Sequence, residues 1–238
     1  MKQFVTVIIE HPVISKSKSS YNSSIVAINK PNGELRICIV YRMLNEASEP
    51  LTYPIPKISE ILTSLHEMEY ISQIDLASAF HQCLVSEESK DKTAFTFNNC
   101  RYEWNRVPFG LQGSPAFFSR VINTVLYDLL GTNVLSYMDD IVVFSKTKKG
   151  HLEKIEEVLN KLEEGNLKIK VQKCTFFAKA VKFLGYRLTK DGLQMDMERV
   201  KSINNMPYPK NKKQVQSLLG VCNYYRPFVR GFLSLIHI

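Results

Sequence analysis

Carboxylates occupy two unusual places in this 238-residue sequence. Asp75 ends the run Tyr70-Ile71-Ser72-Gln73-Ile74, and Asp139-Asp140 sit in the tightest part of the apolar stretch Val134 to Phe144, within Tyr137-Met138-Asp139-Asp140. The first segment reads as a strand, the second as strand, tight turn and strand. Charge flanked by buried strands has to be solvated, hydrogen-bonded or bound to cations, and hard cations such as Mg²⁺ prefer oxygen ligands. Met-Asp-Asp alone is consistent with a solvated turn, because aspartate is a favoured turn residue. A second strand-end acid changes this. If the two strands are neighbours in one sheet, Asp75 and Asp139 face each other and can hold two metals about 3.5 to 4 Å apart. Phosphatases, polymerases and nucleases all use that arrangement, and the spacing does not choose among them.

The elements around these acids alternate. Ser24 to Ile28 and Leu35 to Val40 read as strands joined by a turn at Asn32-Gly33. Tyr53-Pro54-Ile55-Pro56 is extended, and Ile58, Ile61, Leu62 and Leu65 then recur with helical spacing. Glu69 to Asp75 is a strand running into a turn at Leu76 to Ser78. Thr93 to Phe97 and Arg101 to Trp104 are strands around Asn98-Asn99. Ser114 to Leu130 reads as a core helix capped by Ser114, with Pro115 in its first turn and Gly131 at its end. Leu152, Ile155, Leu159 and Leu162 mark the next helix, closed by Gly165-Asn166. Strands follow from Lys168 to Leu188. Helical text returns at Met197 to Asn204 and Lys212 to Leu219, which puts a domain boundary near residue 191.

Composition narrows the class. With 45% hydrophobic and 23% charged residues the chain can bury a core, and no apolar run is long enough for a membrane span. No secretory signal pattern opens it, so the expectation is a soluble intracellular protein with no membrane partner. Five scattered cysteines with no C-x-x-C pair imply neither a disulfide scaffold nor a zinc site. Lys and Arg outnumber Asp and Glu by 31 to 23, a net charge of +8 that suits a polyanionic partner.

Three ordered blocks carry a family likeness: Ile74-Asp75-Leu76-Ala77-Ser78-Ala79-Phe80-His81-Gln82, Val107-Pro108-Phe109-Gly110-Leu111 with Ser114-Pro115-Ala116-Phe117-Phe118, and Tyr137-Met138-Asp139-Asp140-Ile141. Together they resemble a reverse transcriptase. More narrowly the chain is similar to the polymerase of gypsy-type LTR retrotransposons. That likeness rests on Tyr41-Arg42-Met43-Leu44-Asn45, Tyr53-Pro54-Ile55-Pro56, His151-Leu152, Lys173-Cys174-Thr175-Phe176-Phe177, Phe183-Leu184-Gly185-Tyr186 and Leu219-Gly220-Val221-Cys222-Asn223-Tyr224-Tyr225-Arg226. It extends from about Val13 to Phe232.

The resemblance implies an α+β right-hand polymerase. Fingers and palm would span residues 1–190, with fingers at about 1–50 and 83–112, and a partial thumb would span 191–238. It also implies RNA-directed DNA synthesis with two Mg²⁺ ions, or Mn²⁺ in their place, on an RNA or DNA template with primer and dNTPs. Asp75 and Asp139 would be metal ligands, Asp140 the less direct third carboxylate, and Leu76 a backbone ligand. Ala77 and Ser78 would help cradle the triphosphate, and Phe80 would pack below the sugar and reject a 2′-hydroxyl. Lys30 and Arg36 would reach the triphosphate, where polyphosphate charge needs neutralising. Phe109 and Gly110 match the nucleotide pocket, and Gln112 a position near the template. Tyr137 and Met138 border the primer terminus, Phe183, Leu184, Gly185 and Tyr186 match the primer grip, and Lys173 matches a general acid for pyrophosphate. Cytoplasmic location in a retrotransposon particle is implied as well.

Val40 and Leu35 depart from the family's usual aspartate and aromatic, and residues 233–238 match no expected continuation into RNase H. These departures leave a second reading open, an inactive nucleic-acid-binding remnant. A two-metal nuclease is a third, and it would leave Phe80 and Phe183 unexplained.

Overall fold

Apolar alternation sets the architecture of the computed structural model, which describes residues 13–29, 35–53 and 68–228. The turn at Asn32-Gly33, Lys30, the helix expected over residues 57–65 and the tail at 233–238 lie outside the described residues.

Strands β1 (Ile14–Lys16), β2 (Ser24–Asn29) and β3 (Leu35–Val40) come first, followed by a short helix α1 (Arg42–Ala47). Strand β4 (Tyr70–Asp75) leads into a 3₁₀ turn at Ala79–Gln82 and the short helix α2 (Glu87–Lys90). Next come β5 (Phe95–Phe97), β6 (Cys100–Trp104), α3 (Ser114–Val125), β7 (Val134–Tyr137), β8 (Asp140–Ser145) and α4 (Lys148–Glu164). Strands β9 (Thr175–Ala178), β10 (Ala180–Phe183), β11 (Tyr186–Thr189) and β12 (Gly192–Met195) precede α5 (Met197–Asn204) and α6 (Lys212–Tyr224).

The central antiparallel sheet runs β7-β8-β4-β9. Both of its faces are covered, which is why β8 reads as the unbroken apolar run Ile141 to Phe144. Ile74, Ile141 and Val143 face α3 and α4, where Phe118, Ile122, Ile155, Val158 and Leu162 complete one core. Ile71, Val142 and Phe144 face the other way, against Val181, Phe183 and Leu188 of the sheet β10-β11-β12. A third core, built on Ile14, Ile39, Tyr41, Phe95, Tyr102 and Trp104, joins the β1-β6-β5 sheet to β3.

Several expectations are refined. Helix α3 ends at Val125, short of Leu130, and its N-cap is Gly113; the Ser114 hydroxyl donates to Pro108 O instead. The buried stripe of α4 is His151, Ile155, Val158 and Leu162, while Leu152 is exposed. This follows from the helical period, since His151 shares a face with Ile155 and Leu152 is turned 100° away. Helix α6 runs on to Tyr224, past Leu219. The boundary expected near residue 191 falls in the turn between β11 and β12, and the sheet continues through it to Met195.

Candidate polymerase active site

Strand β4 pairs antiparallel with β8 in continuous register, Ile71 opposite Phe144, Gln73 opposite Val142 and Asp75 opposite Asp140. Residues directly opposite share a face, so Asp75 and Asp140 stand at the end of the face that packs on β10 and β11. The cross-strand partner of Asp75 is therefore Asp140, where Asp139 was expected. Tyr137 pairs with Asp140 to close the β7–β8 hairpin, which leaves Met138 and Asp139 as its two turn residues and holds Asp139 one position beyond the ladder. Met138 has φ +55°, a left-handed conformation that costs a residue with a side chain about 1 kcal/mol or more. The surrounding strands impose it, and the result is an exposed Asp139 at the tip.

Charge is concentrated and only partly compensated. Burial pushes the Asp140 carboxyl above the usual carboxylate range; the Gln73 amide, donating to Asp140 Oδ1 at 3.1 Å, works against this, and the nearby charges of Asp139 and Asp75 work with it. Lys173 Nζ lies 3.3 Å from Asp75 Oδ2, with the Asp75 side chain 18% exposed. Lys173 thus belongs to the acid cluster. The backbone of Asp75 is fixed through Lys170 N, which donates to its carbonyl at 2.8 Å, and through Cys174 Sγ, 3.4 Å from its amide.

Among the described residues, no three His, Cys, Asp or Glu side chains are gathered into a ready metal cage. Mg²⁺ keeps several waters and binds through one or two carboxylates plus substrate phosphates. The hard oxygens of Asp75, Asp139 and Asp140 match that demand.

Beyond Asp75 the chain turns under the cluster. Leu76 is buried, with its backbone bridging to Ile169. The Ala77 amide donates to Lys168 O and its carbonyl accepts from Gln82, so both its backbone groups are engaged within the protein. Ser78 takes φ +51° and starts the 3₁₀ turn that carries Phe80. Phe80 packs against Phe109 with centroids 5.1 Å apart and edge-on to Phe118 at 5.7 Å. Phe109 itself is 41% exposed, so this aromatic pair reaches the surface from the core.

Gly110 has φ +100°, and a Cβ there would come 3.1 Å from Ile39 O. Asn45 fastens this loop, donating from Nδ2 to Gly110 O at 3.0 Å and accepting from Gln112 N at 2.8 Å. In the sequence Asn45 stands out only as part of a family stretch, and Gln73 only as a strand residue. Gln73's position two residues before Asp75, on the same strand face, was the available signal. Arg36 lies on β3 opposite Ile28. Phe183 and Tyr186 are buried, and Leu184-Gly185 between them both take positive φ, 53° and 75°. That is the two-residue hairpin geometry whose twist matches the flanking strands.

An acid-tipped antiparallel sheet, backed by two helices and flanked by a second sheet with a tight hairpin, is the palm of a right-hand nucleic-acid polymerase. The family described as reverse transcriptase (RNA-dependent DNA polymerase) matches residues 28–188, and the chain belongs to it. It is 41% identical over 228 residues to the retrovirus-related Pol polyprotein from transposon 297 of Drosophila melanogaster, covering 94% of this chain and 22% of that protein. Identity to the Pol polyprotein from transposon gypsy of the same organism is 34%, covering 97% of this chain and 23% of that protein. The chain thus spans less than a quarter of the length of these relatives. A foamy viral protease-reverse transcriptase solved in complex with double-stranded DNA superposes with a TM-score of 0.92 at 30% identity, covering 99% of this chain and 41% of that one. A second foamy viral structure, in complex with an RNA/DNA hybrid, superposes with a TM-score of 0.83 at 29% identity, covering 94% and 30%.

Proposed function

We propose that the chain catalyses RNA-directed DNA synthesis, transferring a deoxynucleotide from a dNTP to a primer 3′-hydroxyl on an RNA or DNA template and releasing pyrophosphate. The observation that carries this reading is the pairing of Asp75 with Asp140 beside the Asp139 turn, on the sheet face that meets the β10–β11 hairpin.

In this reading Asp75 and Asp139 would hold two divalent cations, Mg²⁺ or Mn²⁺, with the Leu76 carbonyl as a further ligand and Asp140 as the less direct third carboxylate. Bound there, the cations supply charge neutralisation on the triphosphate and a lowered pKa at the attacking hydroxyl. Phe80 and Phe109 form the floor and wall of the sugar site, where a flat aromatic edge leaves no room for a 2′-hydroxyl. Ser78 and Gly110 border the nucleotide and Gln112 the template, and the family resemblance assigns Lys30 and Arg36 to neutralising the triphosphate. Tyr137 and Met138 lie under the primer terminus, and Phe183 to Tyr186 seat it. Lys173, paired with Asp75, would act as the general acid that protonates pyrophosphate. Residues 1–190 then serve as fingers and palm, and residues from 191 as part of a thumb.

The test is primer extension by the purified chain on a recessed RNA–DNA primer-template with dNTPs and Mg²⁺, using Asp139→Asn as control. Extension by the wild type and none by the variant is the expected result. Primer-template binding without extension overturns the proposal in favour of an inactive nucleic-acid-binding remnant, and degradation of the labelled strand favours a nuclease.

A further inference from the structure

The Leu184-Gly185 turn is held from outside its own sheet. Tyr224, the last residue of α6, donates its hydroxyl to Leu184 O, and the Tyr225 hydroxyl lies 3.5 Å from Gly185 O. Both carbonyls of the turn are therefore engaged by one helix end. In return the Tyr186 hydroxyl donates to Tyr224 O at 3.0 Å, and the two rings stack with centroids 5.0 Å apart and planes 14° from parallel. Tyr225 meets both rings edge-on, and Phe228 lies 5.6 Å from Tyr186. Gly185 sits so close under Tyr224 that a Cβ there would come 3.1 Å from its hydroxyl.

This contact is local. Helix α6 buries none of its own residues among those described, and a cavity of about 480 Å³ separates its Ser217, Gly220 and Val221 from the turn. The helix therefore meets the palm through its C-terminal tyrosines, with open space alongside. Tyr225, 5% exposed, is the buried anchor, whereas Tyr224 is 39% exposed and acts through its ring face and hydroxyl. A helix attached at one end by directional contacts transmits its movement to whatever those contacts grip, here the backbone of a two-residue turn.

We propose that Tyr224 is a positioning residue for the primer 3′ end, its hydroxyl and ring locking the Leu184-Gly185 turn to α6. Placement of the primer terminus then follows the position of that helix. The inference rests on the reading that residues 183–186 seat the primer, and it assigns a role to a residue outside that stretch. Neither Tyr224 nor Tyr225 touches reacting atoms.

Two variants separate the contributions: Tyr224→Phe removes the hydroxyl and keeps the stack, and Tyr224→Leu removes both. The first measurement is amide hydrogen exchange in the full chain. The expected result is exchange across residues 183–187 faster by about threefold or more in Tyr224→Phe and faster still in Tyr224→Leu, with β4 unchanged. The second is single-nucleotide incorporation. Tyr224→Phe is expected to lower the maximal rate about 5- to 20-fold, with the KM for dNTP and the Kd for primer-template within about twofold of wild type. A tyrosine that merely stabilises the fold would lower the rate only in step with the folded fraction. Unchanged exchange at the turn in both variants overturns the inference whether or not the wild type extends a primer. Unchanged maximal rate in Tyr224→Leu overturns its primer-positioning part. Failure of the wild type to extend strikes the function proposed above, while the exchange measurement still decides the lock.

Discussion

Asp75 and Asp140 stand directly opposite one another on β4 and β8, at the end of a ladder whose preceding same-face pairs are Gln73 with Val142 and Ile71 with Phe144. Apolar packing thus fixes the register of the acids. A slip of β4 by one residue would turn Ile71 away from its core and carry Asp75 to the opposite face. The acids need no partner to hold them in place, because the buried pairs behind them do so.

Asp75→Asn is therefore expected to abolish activity and spare the fold. The substitution keeps the size of the side chain and removes a charge that, among the described residues, is paired with Lys173, whose side chain is 58% exposed. Such a half-exposed pair is worth about 0–1 kcal/mol, so the thermal midpoint should move by no more than a few degrees. Incorporation should fall on the order of 10³-fold or more, since a ligand acting in the transition state is lost. A drop in midpoint of ~10 °C or more would give Asp75 a structural role instead.

Phe80→Val should relax sugar discrimination. The ring is pinned between Phe109 and Phe118, so its position is set by the core and its shortening opens space at the surface end. The ratio of ribonucleotide to deoxynucleotide incorporation is expected to rise about 10- to 100-fold, the range that a few carbons are worth in a packed site. Competition assays with matched rNTP and dNTP pairs measure this, and an unchanged ratio rules out contact between Phe80 and the sugar.

Much of this was legible in the chain before folding, for identifiable reasons. Strands β4, β7 and β8 are short apolar runs bounded by turn residues; β4 closes on Asp75 and β8 opens on Asp140, acids that have no business in a core. α4 and α5 carry their own periodicity, and Asn98-Asn99 both adopt the positive φ expected of a two-residue hairpin. What escaped was long-range. Asp140, and not Asp139, opposes Asp75 because the turn comprises two residues, a count that depends on where pairing stops. Ser114 looked like a cap, but its hydroxyl found Pro108 O. Asn45 acts through hydrogen bonds to residues 65 and 67 positions away, Gln73 through one 67 away and Tyr224 through one 40 away; apart from the place of Gln73 on the strand face of Asp75, local pattern announces none of them.

Gly110→Ala should damage both stability and nucleotide binding. A Cβ at φ +100° is strained in itself and also meets Ile39 O at 3.1 Å, a backbone atom that cannot swing aside. The cost is about 1–3 kcal/mol, and relief requires the loop to move away from Asn45, taking Phe109 with it. The KM for dNTP is expected to rise more than the maximal rate falls. Wild-type values for both would show that Phe109 and Gly110 lie away from the nucleotide.

The buried His151 behind the sheet makes stability sensitive to acid. Its ring is fully enclosed between Ser72 Oγ, 2.7 Å from Nε2, and Ser145 Oγ, 2.9 Å from Nδ1. Ser145 donates its own hydroxyl to Thr147 O, so it accepts from Nδ1–H; Nε2 is then the acceptor, taking the Ser72 hydroxyl, while Ser72 Oγ accepts Phe177 N–H. Every polar atom is satisfied with a neutral ring, and burial accordingly lowers the His151 pKa from its usual 6.5. A base whose folded pKa is lowered takes up its proton first in the unfolded chain. Stability is therefore whole above pH 6.5 and is lost as pH falls from there towards the folded value, by at most about 1.4 kcal/mol per pH unit. His81, also shifted down by burial, contributes in the same direction. His151→Gln should cost about 1–3 kcal/mol at pH 8, where the relay is broken. It should also reduce the acid-side slope, leaving the share from His81. Urea midpoints from pH 8 to pH 5 measure both, and a slope as steep in the variant as in the wild type would show that His151 does not titrate with unfolding.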